Sequence, residues 1–121
     1  MNELEKYQFE ILKRYVLNPN EFDRLILEYN WSRNQFEIFM NILNNFDEKE
    51  TFTYQDFETT LNKTLGINYQ GTKVIITYLY KANQSDKLVY KFIESMRKEG
   101  RPLSSEYLSI EKELFGKNIG K

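Results

Sequence analysis

Cysteine and histidine are both missing from the 121 residues of this chain, and these two absences exclude a great deal of chemistry. Without them there is no disulfide, no thiolate or imidazole metal ligand, no cysteine nucleophile and no Ser-His-Asp triad. Any catalysis would have to run on carboxylates, lysine, tyrosine or a carboxylate-bound Mg²⁺. Two prolines and five glycines are too few for long linkers or disordered stretches. Uninterrupted apolar runs reach only a few residues, far short of the ~20 that span a bilayer. Met1 to Glu5 is acidic where a secretory leader is basic and then apolar. The expectation is a non-enzymatic, cytoplasmic protein with no cofactor, no metal and no membrane partner.

What is present is aromatic and charged. Nine Phe, nine Tyr and one Trp lie among 40% hydrophobic residues, a globular composition, and a domain of this length buries roughly two thirds of its unfolded surface. The net charge of −1 hides an asymmetry: residues 1–59 hold 6 basic and 12 acidic side chains, net −6, and residues 60–121 hold 11 basic and 6 acidic, net +5. A bipolar chain of this kind can set its basic half on nucleic acid or an acidic protein, or pair with a copy of itself.

Apolar residues recur at helical spacing throughout. A first helix, about Asn2 to Leu17, carries Leu4, Tyr7, Ile11, Leu12 and Tyr15. Asn18 is expected to cap a second, Pro19 to Tyr29, with Pro19 at its first position and Glu21 closing a capping box. Ser32 and Gln35 repeat the box for a third helix reaching Phe46, with Trp31 stapled to Phe36. A fourth runs from Thr53 to Leu65, where Gly66 suits the left-handed position after a helix end and Ile67 the hydrophobic contact that follows it. The most apolar run, Val74 to Tyr80, is expected at the centre, in a fifth helix from about Gly71 to Ala82. Ser85 should cap a sixth, Asp86 to Glu99, stopped by Gly100. After Pro102, Ser104 caps a seventh, Tyr107 to Phe115, with a fraying tail from Gly116 to Lys121. The expected fold is all-α, a compact bundle of six to seven short amphipathic helices, with a helical domain over 1–100 and a C-terminal helix and tail over 101–121 free to act as an assembly element.

Four constellations bear on function. The acidic connection after Phe46 has the look of an EF-hand, but loops started at Asp47 or Asn45 put Lys49 in the coordination shell and no glycine at the sixth position. The carboxylates Asp47, Glu48, Glu50, Asp56 and Glu58 flank an exposed connection and receive no role. Residues 53–82 follow the order of a helix-turn-helix, with Lys73, Thr77 and Lys81 as candidate nucleic-acid contacts. Against this, the turn from Gly66 to Val74 reads about two residues too long for the motif, and the fifth helix reads as core. A basic face on the sixth helix, Lys87, Lys91 and Lys98 beside Arg97 and Arg101, faces outward with Tyr107 and Leu108 of the seventh as candidate interaction residues; Glu3, Glu5 and Glu10 of another copy would suit it. Tyr80, Tyr90 and Tyr107 are the candidate aromatic anchors.

From about Asn20 to Arg97 the chain resembles the YhaI-like family of small helical proteins from Bacillus and its relatives. The matching positions are Phe22, Leu25 and Ile26; the cap at Trp31-Ser32; Phe52-Thr53 followed by Phe57 and Leu61; Ile75 to Tyr80; and Leu88 to Met96. The resemblance implies an all-α, self-associating bundle with no catalytic residues. The functional expectation is thus a helical interaction protein that self-associates or binds a protein partner. The alternatives are a nucleic-acid-binding regulator and a phage or mobile-element inhibitor of a host protein.

Overall fold

Residues 1–116 are described by a computed structural model of the chain. They form seven α-helices, α1 (Glu3–Leu17), α2 (Glu21–Glu28), α3 (Arg33–Glu48), α4 (Tyr54–Leu65), α5 (Tyr69–Lys81), α6 (Asp86–Lys98) and α7 (Ser105–Glu111), followed by a π-helical turn at Lys112–Gly116. The all-α expectation holds, with no strand among the described residues. No helix among them is long and apolar enough to cross a membrane. The tail expected to fray lies, from residue 117 on, outside the described residues. Contacts gather the chain into two units, Met1–Asn41 and the residues from Ile42 on, the division falling within α3.

In the first unit α1 packs along α2. Tyr7, Ile11, Leu25, Ile26, Trp31 and Phe39 are buried. The Trp31 ring stacks on Tyr29 with centroids 5.5 Å apart and tilts against Phe39 at 5.0 Å. Gln8 Nε2 donates to the carbonyls of Ile26 and Trp31 (3.1 and 2.7 Å), which satisfies the end of α2 from α1. The cap expected at Asn18 is corrected: Asn18 ends α1, and α2 begins two residues later with Asn20 accepting from Asp23 N–H at 2.8 Å. Asp23 is the reason, because Arg14 grips its carboxylate and so fixes which residue stands third in α2.

In the second unit a run of rings crosses from the end of α3 to α7. Phe46 meets Phe57 edge-on at 5.1 Å, Phe57 meets Phe92 at 5.9 Å, and Phe92 tilts on Tyr107 at 5.6 Å. Geometries of this kind add about 0.5–1.5 kcal/mol per pair beyond burial. Two expectations change here. Ser85 makes no side-chain cap and sits at φ +51; α6 is capped instead by Asp47, whose Oδ1 accepts from Leu88 N–H at 3.0 Å. The segment 101–116 packs on its own unit, with α7 against α5 and α6 and with Tyr107, Ile110 and Phe115 buried.

Candidate nucleic-acid interface

The region with the most built geometry is the join of α4 to α5. Thr53 and Asp56 close a capping box at the start of α4, each side chain accepting from the other's N–H at 3.1 Å. Tyr54 N–H donates to Ser95 Oγ at 2.9 Å, which anchors that end to α6. Tyr54, Phe57 and Leu61 are buried beneath the helix. At its far end Gly66 adopts φ +71, its N–H returning to the Asn62 carbonyl at 2.9 Å. Ile67 then drops into the core, fully buried. Asn68 caps α5 at once, accepting from Gly71 N–H at 2.8 Å. The turn is therefore Gly66, Ile67 and Asn68 alone. The length expected from sequence is corrected, because Tyr69 and Gln70 belong to the helix.

α5 buries Thr72, Ile75, Ile76 and Leu79 on one side. Along the opposite edge run Gln70, Val74, Thr77 and Lys81, at the i, i+4, i+7, i+11 spacing of a single helix stripe. Gln70, Val74 and Lys81 are exposed and Thr77 is half-buried. Val74, expected in the core, is thus on the surface. Thr77 Oγ1 is buried and without a hydrogen-bond partner among the described residues, so the hydroxyl offers the surface no donor. Lys73 does not join this stripe, because its Nζ pairs with Glu106 of α7 at 3.7 Å and the side chain is only 20% exposed. Sequence reasoning missed Gln70 because placing the helix start at Gly71 assigned it to the turn. Counting the stripe backward from Lys81 would have found it.

The basic face expected on α6 is largely consumed within the chain. Lys91 Nζ bonds the Lys49 carbonyl. Lys98 pairs with Glu94 at 3.9 Å. Arg97 pairs with Glu111 at 3.0 Å and lies over Phe115. Arg101 pairs with Glu58 at 3.6 Å and lies over Tyr54. Tyr107, expected as an exposed anchor, is in the core, while Leu108 and Tyr90 remain exposed at the surface. Tyr80 donates its hydroxyl to Glu113, and burial together with that carboxylate pushes its pKa up to about 12. Lys63, Lys81 and Lys87 are exposed and have no ion pair among the described residues. They stand at the end of α4, the end of α5 and the start of α6.

No family model matches the chain, and it has no match among curated proteins or solved structures. None of these comparisons bears on the expected likeness to YhaI-like proteins.

Proposed function

We propose that this is a non-enzymatic DNA-binding protein that lays the outer edge of α5 in the major groove of a duplex. The observation that supports the reading is the three-residue join Gly66–Asn68, which matches the order and turn length of a helix-turn-helix, with Gln70, Val74 and Lys81 of α5 exposed. The three exposed side chains of the α5 stripe, Gln70, Val74 and Lys81, each have a suitable chemistry. A glutamine amide pairs with adenine at N6 and N7, an aliphatic side chain meets a thymine methyl, and an ammonium meets a phosphate or guanine. The 13 residues of α5 span about 20 Å, enough to cross a groove ~12 Å wide. Lys63 near one end of α5, and Lys81 and Lys87 near the other, would then meet the backbones on either side.

The test is enrichment from a randomised duplex pool by the full-length protein. Wild type is expected to select a short motif. A Gln70→Ala/Val74→Glu variant with an unchanged helical circular dichroism spectrum is expected to select none. If wild type enriches nothing, the reading fails.

A further inference from the structure

Two carboxylates of the C-terminal segment fasten one flank of α5. Glu106 of α7 meets Lys73 Nζ at 3.7 Å, and Glu113 of the π-helical turn accepts from the Tyr80 hydroxyl. Lys73 and Tyr80 stand seven residues apart on α5, and so do Glu106 and Glu113 on the segment that follows α6. Seven residues of α-helix make about two turns and rise about 10.5 Å, so Lys73 and Tyr80 share one face. The two contacts therefore lay α7 and its terminal turn alongside α5 in the same direction. This flank is distinct from the reading edge: at 100° per residue Lys73 lies about 60° round the helix from Gln70 and about 100° from Val74. A helix with its side chains is about 10–12 Å across and a major groove is ~12 Å wide. A helix that seats one edge in the groove thus turns its flanks to the phosphate walls.

We infer that Lys73 and Tyr80 are two further contacts for a phosphodiester backbone, masked by Glu106 and Glu113, so that the C-terminal segment restrains binding at α5. The inference rests on the reading of α5 as the helix laid in the groove. An ammonium and a phenol hydroxyl are both groups that contact DNA backbones. In the free protein each is already held by an anion, and that anion repels a phosphate brought to the same place. The mask opens without α7 leaving its site. Tyr107, Ile110 and Phe115 hold the segment in the core, whereas the Glu106 side chain is 48% exposed and Glu113 is exposed. Each carboxylate can swing to water while the backbone stays in place. Partly exposed ion pairs hold weakly, so a phosphate can take the carboxylate's position.

The test is fluorescence anisotropy on the duplex that wild type selects, at several salt concentrations, with full-length variants whose helical circular dichroism is unchanged. Glu106→Gln frees Lys73 and is expected to tighten binding. It should also steepen the slope of log K against log salt from about −2.7, for Lys63, Lys81 and Lys87 alone, to about −3.6, one more phosphate neutralised. Made in a Lys73→Ala background, the same substitution should change neither. Glu113→Gln should tighten binding several-fold without steepening the slope, because a tyrosine hydroxyl neutralises no phosphate, and Tyr80→Phe should remove that gain. Gains that persist in the Lys73→Ala and Tyr80→Phe backgrounds would come from the loss of negative charge alone and overturn the mask. A wild type that binds its duplex as tightly as both glutamine variants also overturns it and leaves the reading of α5 intact. A wild type that binds no duplex overturns the reading of α5 and this inference with it.

Discussion

Asp23 is 2% exposed and still fully committed as an anion. Arg14 Nε and Nη2 donate to its two oxygens at 2.8 and 2.5 Å, and Asn20 Nδ2 adds a third bond at 2.7 Å. The Arg14 bonds hold its pKa below the ordinary carboxylate range. A depressed folded pKa gives stability that is present above the unfolded value and lost as pH falls through the folded one. Acid should therefore loosen α1 from α2 below about pH 4, and Asp23→Asn should flatten that limb of the stability curve. Burial raises the pKa of Glu58 in spite of Arg101, so it acts with the opposite sign and favours the fold as acid protonates it. At neutral pH Asp23→Ala should cost about 1–3 kcal/mol by denaturant titration, from the loss of its charge-assisted hydrogen bonds to Arg14 and Asn20. Arg14 is 59% exposed and can return to water, which keeps the figure below that of a fully buried pair. Asp47→Ala should cost about 1 kcal/mol, the value of one helix cap. Residue spacing could not reveal that role, because Asp47 and the N–H it accepts lie 41 positions apart.

Among the elements, the α4–α5 turn depends on one backbone conformation. A Cβ added to Gly66 meets nothing within 4 Å, so substitution there costs only the left-handed φ of +71. Gly66→Ala should destabilise by about 1–2 kcal/mol, and Gly66→Asn by less, since asparagine tolerates that region. Denaturant midpoints with unchanged m-values would check both, and equal losses for Ala and Asn would contradict the argument. This glycine and its neighbour Ile67 were readable from sequence because each acts on residues next to it. The start of α5 was not, because Gly71 looks like a break until the Asn68 cap just before it is seen to hold the first turn. The same difference explains α1. Helical periodicity shows that Leu12 and Ile11 are both apolar, but only the packing of α2 decides that Ile11 is covered and Leu12 is left out.

On the scale of the whole molecule the charge asymmetry proves different from a basic surface. The half of the chain from residue 60 has net charge +5, yet Lys73, Arg97, Lys98 and Arg101 are held in ion pairs and Lys91 on a carbonyl. What remains beside α5 is Lys63, Lys81 and Lys87. Binding to duplex DNA should then release few counterions. Three phosphate contacts give log K against log salt a slope of about −2.7, shallow for a DNA-binding protein. Each of Lys63→Ala, Lys81→Ala and Lys87→Ala should flatten it by about 1. Lys91→Ala, which removes a lysine bonded to the Lys49 carbonyl, should leave it unchanged. Fluorescence anisotropy of a labelled duplex at several salt concentrations measures all four. A slope that ignores Lys63 and Lys81 but falls with Lys91 would place the bound nucleic acid on α6, and α5 would lose its role as the reading helix.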